Sequence, residues 1–346
     1  MSETLVPLLA RLVRSEELSV EEIERGLGEI LEGAVSDVQI TAFVVALRTK
    51  GETVEELAAL VRTMLRYSTP VTVAPGAIDT CGTGGDRSSS INISTIAAVI
   101  AAAAGARVVK HGNRAASSKC GSADVLESLG IPIELGPRGV ERCVAEAGIG
   151  FCFAPRYHPA LRFLGPVRRE LGVPTTFNFL GPLANPARVT RQCVGVSDAA
   201  MAERVLAVLI RNGTERAAVF YGDDGLDELT TTTTSQVWEL RDGVATHRVI
   251  DPVELGLERA APVDLVGGDA AVNAHVVRNV LGGSGGPHRV IAVLNASMAI
   301  AVADLADNLS DSMAIACEVI DSGRATETLD RWRTVAVHAK AEEEDS

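Results

Sequence analysis

The chain has 346 residues, of which 47% are hydrophobic and 22% charged, and its formal net charge is −13. This length and composition exclude a largely disordered protein and allow about two domains with sizeable cores. The negative charge makes the surface repel nucleic acid and anionic membranes, so neither is expected as a partner. Any anion site would have to be a local basic pocket.

The cysteines and the apolar segments indicate a cytoplasmic protein. Six cysteines are scattered along the chain without a C-x-x-C pair, which argues against a zinc site and a disulfide framework. The N-terminal stretch carries leucines at helical spacing between acids, and it predicts an amphipathic helix rather than a signal peptide. The longest apolar stretch, 96–104, is too short to cross a bilayer.

The first 70 residues have the pattern of helices only. Ser19 with Glu22 and Thr53 with Glu56 fit the capping box at a helix start, and Gly51 lies where a helix would end. From residue 75 onward, short β-like runs alternate with alanine-rich helical patterns. This alternation predicts an α/β fold with a mainly parallel central sheet flanked by helices.

The later part of the chain combines a hairpin with further helices. The runs SQVWEL and VATHRVI flank RDG and predict an antiparallel hairpin. Helices are expected at about 269–282, 288–305 and 310–322, and the acidic end AEEEDS is expected to be a frayed tail. The threonine run 230–234 is interpreted as a loop or strand edge.

A glycine-rich loop follows the first predicted strand, in DTCGTGGDRSSSINIST at 79–95. Its glycines let a ligand approach the main chain, and Asn92, Ser94 and Thr95 bring donors to a helix start that favours anions. Arg87 occupies the third glycine position of a Rossmann fingerprint, and no P-loop motif occurs. A structural connector remains the alternative.

A second loop of this layout, KHGNRAASSKCGS, occupies 110–122. It follows a strand that ends in Lys110 and His111, and Ser122 is the expected cap of the next helix. Two successive strand–loop–helix units place both loops at one edge of a parallel sheet, where such sheets bind ligands. The donors predict a site for a polyanionic sugar phosphate, with a solvated basic loop as the alternative.

Two further segments are rich in charge. YGDDGLDEL at 221–229 places four acids within six residues at a strand end, which suits Mg²⁺ unless it is only an acidic surface turn. The segment 158–186 carries Arg162, Arg168 and Arg169, one of which could reach a carboxylate in the site.

The motifs GTGGD, NIST, KHGNRAASSKCGSAD, VRRELG, FNFLGPLANP and DGLDEL together resemble the anthranilate phosphoribosyltransferases of tryptophan biosynthesis, over nearly the whole chain. The resemblance implies a helical domain at 1–72, joined by part of 158–180, and an α/β domain at 73–346. It also implies a site in the cleft between them and a homodimer formed through the helical domain. The implied reaction transfers the phosphoribosyl group of 5-phosphoribosyl 1-pyrophosphate (PRPP) to anthranilate, with two Mg²⁺ per subunit.

Carried over motif by motif, the resemblance implies three sets of binding residues and no side-chain nucleophile. Anthranilate would contact Gly82, Asn113 and Arg168, the metal would contact Ser94, Asp227 and Glu228, and Lys110 and Arg168 would act electrostatically. The residues implied to bind PRPP are Gly82, Gly85, Asp86, Ser90, Asn92, Ile93, Ser94, Thr95, Lys110, His111, Gly112, Asn113, Arg114, Ala115, Ala116, Ser117, Ser118 and Ser122.

The sequence departs from the family pattern at Arg87, where the family usually has glycine. A stiffer loop and an added phosphate contact are both open as consequences. Three other functions are also open: a nucleoside phosphorylase, a transferase for another aromatic amine, and a non-catalytic relative that binds nucleic acid. The intact Asp227 and Glu228 and the net charge of −13 argue against the first and the last.

Overall fold

The computed structural model describes residues 5–115 and 119–345. Its first part is a bundle of four helices, with bounds α1 Leu5–Val13, α2 Val20–Leu31, α3 Asp37–Lys50 and α4 Val54–Arg66. Both expected capping boxes are confirmed, because Ser19 and Thr53 accept the N–H of the residue three positions on. Gly51 ends α3 with φ 84°, a left-handed value that glycine adopts without steric cost.

One seven-stranded sheet forms the centre of the rest of the chain. Its strands follow the spatial order β3-β2-β1-β4-β5-β6-β7, and the first five are parallel while β6 and β7 are antiparallel. The α/β prediction and the hairpin are therefore confirmed, whereas β4 was not predicted. The strand bounds are β1 Ile78–Gly82, β2 Val108–Gly112, β3 Ile149–Phe153, β4 Arg191–Gly195, β5 Arg216–Gly222, β6 Ser235–Arg241 and β7 Val244–Ile250.

Helices flank this sheet, and the three that were expected late in the chain are confirmed within a few residues. No described helix is both long and apolar enough to cross a membrane. Short 3₁₀ turns lie at 159–163, 252–255 and 262–265. The helix bounds are α5 Ile93–Ala103, α6 Ser122–Ser128, α7 Pro137–Ala147, α8 Ala154–Tyr157, α9 Leu164–Leu171, α10 Phe177–Leu180, α11 Ala199–Arg211, α12 Ala270–Leu281, α13 Pro287–Val302, α14 Leu309–Asp321 and α15 Arg324–Glu344.

The two faces of the sheet belong to two hydrophobic cores. Successive residues of β5 alternate between them, as the period of a strand requires: Ala218 and Phe220 pack with α5 and α13, while Ala217 and Val219 face the other way. The second core also contains buried residues of the four-helix bundle, α9 and α11. The bundle therefore lies on the side of one face of the sheet, where α4 packs on α11 and α11 packs on β5 and β6.

The expected frayed tail was wrong, because α15 continues to Glu344. The Glu343 carboxylate accepts the Gly136 N–H at 2.9 Å, at the start of α7. Arg142 of α7 also pairs with Glu342 at 2.8 Å. A carboxylate at a helix N-terminus satisfies otherwise unpaired N–H groups, so the acidic end has partners along α7.

Candidate active site

The site lies at the carboxyl ends of β1 and β4, where the strand order reverses. Gly82 and Gly195 end these two strands, and the Asp227 segment lies directly over both. A Cβ on Gly195 would lie 1.7 Å from the Asp227 carbonyl oxygen, and one on Gly82 would lie 2.1 Å from Asp227 Oδ2. The main chain of Asp227 thus excludes a side chain at position 195, and a side chain at position 82 would displace the Asp227 carboxylate. Ligands of open α/β sheets bind at this switch point.

Asp227 and Glu228 join the glycine loop to the first turn of α5. Asp227 Oδ2 accepts the Gly84 N–H at 2.7 Å, and Glu228 Oε1 accepts the Ser94 N–H at 3.1 Å. Both side chains are buried. The sequence predicted that these acids lie near the loop and near Ser94, and the structure brings them together.

Lys110 is the cation of this cluster. It is 1% exposed, and its Nζ donates to the Thr80 carbonyl oxygen at 2.6 Å and to Ser94 Oγ at 3.1 Å. Two of the three N–H donors of the ammonium are thereby used. Lys110 thus lies between the end of β1 and the start of α5, where its charge lowers the pKa of the Glu228 carboxyl.

The acid pair is electrostatically unfavourable without added positive charge. Burial, and then repulsion from Asp227, raises the pKa of the Glu228 carboxyl, and burial and the nearby Asp86 raise that of Asp227. Lys110 opposes both burial and repulsion at Glu228 without cancelling them. A hard divalent cation would offset both the cost of burying these carboxylates and their mutual repulsion. Carboxylate oxygens and hydroxyl oxygens such as Ser94 Oγ are ligands that suit Mg²⁺.

The metal would need oxygens from outside the protein as well. Within residues 5–115 and 119–345, no three His, Cys, Asp or Glu side chains are grouped for metal binding. Mg²⁺ usually takes one or two carboxylates together with substrate phosphates and water. The donor set therefore fits a cation that arrives with a phosphorylated substrate.

The other two acids of the 221–229 segment have a structural role. Asp224 Oδ2 accepts the Thr230 hydroxyl at 2.7 Å and the Thr232 hydroxyl, and Asp223 accepts the Thr234 hydroxyl. The threonine run thus fastens the turn that presents Asp227 and Glu228. The expectation of a loop or strand edge for 230–234 is confirmed, since β6 begins at Ser235.

The loop after β2 is fastened by Asp124 of α6. Asp124 Oδ2 accepts the Ala115 N–H at 3.1 Å and the Gly121 N–H at 2.8 Å, one at each end of the loop. Arg114 pairs with Asp124 at 3.0 Å and Glu127 at 2.6 Å. Its guanidinium is therefore engaged by acids in this structure.

The cap prediction for Ser122 was wrong. Gly121 is the N-cap of α6, and Ser122 is the first helical residue. Its hydroxyl instead donates to the Asn113 carbonyl oxygen at 3.2 Å, across the base of the loop. Asn113 Oδ1 accepts the Arg114 N–H at 2.7 Å. The predicted residues Ala116, Ser117 and Ser118 lie outside the described residues.

The predicted residues around α5 have mixed environments. The Asn92 side chain donates to the Cys120 carbonyl oxygen at 3.2 Å and accepts from Asn273 at 2.8 Å, so it ties the loop to α12. Ile93 is buried in the core. Thr95 is 1% exposed, and its hydroxyl has no hydrogen-bond partner among the described residues. That unpaired donor at the start of α5 suits a bound phosphate.

The rest of the glycine loop has a left-handed backbone at several positions. Gly84, Gly85 and Arg87 have φ of 70°, 87° and 59°. Arg87 thus adopts the conformation that favours the glycine usual in the family. Asp86 Oδ1 accepts the Ser88 N–H at 3.3 Å, and Ser90 bridges to Val266.

His111 is a buried neutral side chain. Its Nδ1 lies 3.1 Å from the Gly181 carbonyl oxygen, and its ring centroid lies 5.1 Å from that of His158. Burial, and then His158, lowers the pKa of His111 to about 3. Its Nε2 has no hydrogen-bond partner among the described residues. The imidazole is therefore not a cation for phosphate at neutral pH.

Arg168 is half-buried on α9 and has no anionic partner in the described part of the chain. Burial lowers the pKa of its guanidinium. Its neighbours Arg162 and Arg169 are exposed. No hydrogen bond or ion pair joins Arg168 to Asn113 or to any other described residue. A half-buried guanidinium without an acid is suited to a ligand carboxylate.

Sequence reasoning missed Asp79, Asn185 and Gly195. Asp79 and Asn185 are fully buried polar residues behind Lys110 and His111, and Gly195 ends the strand that was not predicted. Asn185 lies within the quoted FNFLGPLANP motif and could have been singled out there. Asp79 sits inside an apolar strand, which offered no separate signal.

Two family models match the chain. The glycosyl transferase family α/β domain covers residues 74–326, and the helical bundle domain of the same family covers 6–68. Among curated proteins, the anthranilate phosphoribosyltransferase of Salinispora arenicola is 50% identical over 338 residues, covering 95% of this chain and 96% of that protein. The anthranilate phosphoribosyltransferase of Thermobifida fusca is 48% identical over 338 residues, covering 96% of this chain and 97% of that protein.

Solved structures show the same fold. The anthranilate phosphoribosyltransferase of Thermus thermophilus superposes with a TM-score of 0.90 at 38% identity, over 95% of this chain and 98% of that one. The Saccharomyces cerevisiae enzyme, solved with PRPP and Mg, superposes with a TM-score of 0.88 at 24% identity, over 97% of this chain and 99% of that one. At this identity the match shows a shared fold. On these matches and the resemblance of its motifs, the chain belongs to the anthranilate phosphoribosyltransferase family.

Proposed function

We propose that this cleft transfers the phosphoribosyl group of PRPP to the amine of anthranilate, with the residue roles given below. The observation that carries the proposal is the buried pair Asp227 and Glu228, held at the sheet's switch point against the Gly84 and Ser94 N–H groups, beside Lys110. These groups combine metal-binding acids, main-chain donors and a cation in one place.

PRPP would lie along the two loops and the start of α5. Gly82, Gly85 and the main chain of 112–115 let the donor approach, and the unpaired Thr95 hydroxyl and the remaining Lys110 donor would hold phosphate. Arg114 would have to break its ion pairs with Asp124 and Glu127 in order to bind phosphate. We therefore propose that this segment binds PRPP through its main-chain groups.

We propose that Ser94, Asp227 and Glu228 hold Mg²⁺, with two ions per subunit. When bound, Mg²⁺ supplies positive charge that offsets the charge of the departing pyrophosphate. The buried, mutually repelling acids support this role. A yeast protein of the same fold was solved with PRPP and Mg.

The chain's own residues position the reactants rather than attack them. The anthranilate amine forms the new C–N bond at the anomeric carbon as the bond to pyrophosphate breaks. Lys110 stabilises the leaving phosphates, while Asn113 and Arg168 orient anthranilate through its carboxylate. No protein nucleophile is needed for this single displacement.

The domain, dimer and compartment assignments are part of the proposal. The matched ranges 6–68 and 74–326 support a helical domain at 1–72 with part of 158–180, and an α/β domain at 73–346. Exposed valines on two bundle helices, Val6 and Val13 on α1 and Val38 and Val45 on α3, support a homodimer formed there. None of the six cysteines forms a disulfide, as in a cytoplasmic protein.

The test follows loss of anthranilate fluorescence with PRPP present, with and without Mg²⁺. We expect Mg²⁺-dependent loss and one pyrophosphate released per anthranilate consumed. PRPP binding without turnover would favour the second candidate, a transferase for another aromatic amine. Absence of both binding and turnover would overturn the proposal.

Arg168→Ala tests the placement of the acceptor. Loss of a charged hydrogen bond of about 1.5–3 kcal/mol would raise the KM for anthranilate about 10- to 100-fold and leave that for PRPP nearly unchanged. Arg169→Ala, at the exposed neighbouring position, is the matched control. Equal effects of Arg168→Ala on both substrates would contradict the assignment.

A further inference from the structure

The hydrogen-bonded ladder between β1 and β2 has a gap where the strands reach the site. β1 pairs with β4 over five residues, from Ile78 to Gly82, but its pairing with β2 consists of Ile78 and Val108. Beyond that pair, side chains connect the two strands. The His111 N–H donates to Asp79 Oδ1 at 3.1 Å, and Lys110 Nζ donates to the Thr80 carbonyl oxygen at 2.6 Å.

Asn185 is inserted into this gap from the loop before β4. Its Nδ2 donates to Asp79 Oδ2 on β1 and to the Val109 carbonyl oxygen on β2, each at 2.8 Å. One side-chain amide therefore spans the two strands in the place of ladder hydrogen bonds. Asp79 and Asn185 together, which we call the strand clamp, connect the two strands where their ladder is interrupted.

The clamp is held in one orientation. Asn185 Oδ1 accepts the Ala187 N–H at 2.9 Å, which fixes the side-chain amide with its two N–H donors toward the strands. Asp79 is 0% and Asn185 2% exposed. Every strong polar atom of the pair thus has a partner, and such a network specifies one arrangement.

The clamp is an unfavourable way to fill a sheet interior. Burial raises the pKa of Asp79 to about 6, even though Lys110 and the hydrogen bond from Asn185 lower it. Apolar residues of similar volume often replace buried charges without loss of stability. Asp79 and Asn185 are therefore better explained by what they position than by the stability they add.

Lys110 and His111 are the residues that the clamp positions. Asp79 holds the main chain of His111, next to Lys110, and the buried Lys110 side chain crosses the ladder gap to reach Thr80 and Ser94. We propose that Asp79 and Asn185 are positioning residues that place the Lys110 ammonium and the start of the 112–115 main chain for the pyrophosphate donor. The inference rests on the proposed function for the identity of that donor.

The test uses a reciprocal exchange of donor and acceptor. Asp79→Asn places an amide against the amide of Asn185, and Asn185→Asp places a carboxylate against Asp79. We expect each single variant to lower kcat/KM for PRPP at least tenfold and to leave the KM for anthranilate within twofold. The double variant restores the hydrogen bond between positions 79 and 185 but leaves the Val109 carbonyl oxygen without its donor. We therefore expect a partial recovery, in which kcat/KM for PRPP rises at least threefold above that of either single variant.

Gln192→Met is the matched control. Gln192 is paired with Asp79 in the β1–β4 ladder, is 3% exposed, and donates to the Pro182 carbonyl oxygen at 3.1 Å, in the same loop as Asn185. It does not contact Lys110 or His111 through a hydrogen bond. We expect this variant to keep kcat/KM for PRPP within threefold of wild type.

PRPP affinity measured by calorimetry in Mg²⁺ separates the clamp from the reaction. A wild type that binds PRPP but does not turn over anthranilate would contradict the proposed reaction, while a tenfold weaker affinity in the variants would still support the clamp. Unchanged PRPP affinity, equal losses for both substrates, or an equal loss in Gln192→Met would overturn it. Asn185→Leu, which removes both donors at similar volume, replaces any single variant that does not fold and carries the same tenfold expectation.

Discussion

The loops after β1 and β2 share one layout but are held in opposite ways. The first, residues 83–92, is held from outside by a distant segment, since Asp227 accepts the Gly84 N–H in the loop and Glu228 accepts the Ser94 N–H in the helix turn that follows it. In the second, the described residues 113–115 and 119–121 are held by the helix that follows, since Asp124 accepts the N–H groups of Ala115 and Gly121.

The two arrangements leave different groups available to a ligand. In the first loop, main-chain N–H groups and the acids that hold them face each other, so a metal and phosphates can take over both partners. In the second loop, the most basic side chain, Arg114, is already paired with Asp124 and Glu127. Abundance of basic residues therefore says less about phosphate binding than the positions of the acids do.

Glu228→Gln should give the largest effect, because it removes the negative charge of a proposed metal ligand while keeping an amide oxygen that can still accept the Ser94 N–H. We expect turnover to fall about 10²- to 10³-fold, as on loss of one strong electrostatic contact in an active site. Circular dichroism should show an unchanged fold. Asp223→Asn, which alters an acid of the same segment on its threonine-bound side, is the control, and wild-type turnover in Glu228→Gln would refute the metal role.

Gly195→Ala should give the next largest effect. It tests the close approach of the Asp227 segment to the sheet. The added Cβ would lie 1.7 Å from the Asp227 carbonyl oxygen, so that segment must move. We expect a loss of about 1–3 kcal/mol in the free energy of unfolding, typical of overpacking, together with loss of Mg²⁺-dependent PRPP binding. Gly285→Ala, with no atom within 4 Å of its Cβ, should change neither quantity.

His111 should make the root of the second loop sensitive to acid. Its pKa is about 3 when folded and about 6.5 when unfolded, so as pH falls below 6.5 the unfolded chain takes up a proton that the folded one does not. The free energy of unfolding should therefore fall, by about 1.4 kcal/mol per pH unit at most, until pH 3.

The measurement is urea unfolding of the wild type and His111→Asn at pH 7 and pH 5. We expect the loss between these values to be about 2 kcal/mol smaller in the variant. His275→Asn, at an exposed position on α12, should behave like the wild type. Identical pH dependence in wild type and His111→Asn would contradict a buried neutral imidazole.

Asp124→Asn should have the smallest effect of the four. The variant keeps one oxygen for the loop N–H groups and loses the charge that pairs with Arg114. We expect the KM for PRPP to rise about threefold to tenfold, in keeping with a charged hydrogen bond reduced to a neutral one. Glu127 pairs with Arg114 but does not bind the loop main chain, so Glu127→Gln should leave the KM for PRPP within twofold of wild type.

Much of the fold could be predicted because local patterns decide it. The capping boxes of α2 and α4, the hairpin around Arg241 and Gly243, and the late helices follow from residues close together in the chain. β4 was missed because its sequence, RQCVG, is short and opens with two polar residues. The ordered end of α15 was missed because Glu343 is fixed by α7, about 200 residues away.

The site was predictable in its parts and not in its connections. Lys110, Ser94 and Glu228 could be chosen from their motifs, and the structure places them in one cluster. No sequence pattern indicates that Arg114 is neutralised by α6, or that Asn185 reaches between two strands. Both depend on side-chain directions that only the assembled sheet defines.

The packing of the four-helix bundle has a consequence for how the molecule unfolds. Its α4 shares a core with α11 and with one face of β4 and β5, and Arg62 reaches Asn212 at 3.1 Å across the same boundary. Melting the bundle alone would expose buried side chains of α4, among them Leu60 and Val61, together with the face of α11 against which α4 packs; α11 in turn covers β5 and β6. The bundle and the sheet therefore form one cooperative unit, and calorimetry should show a single heat-absorption peak in a chain that two family models divide in two.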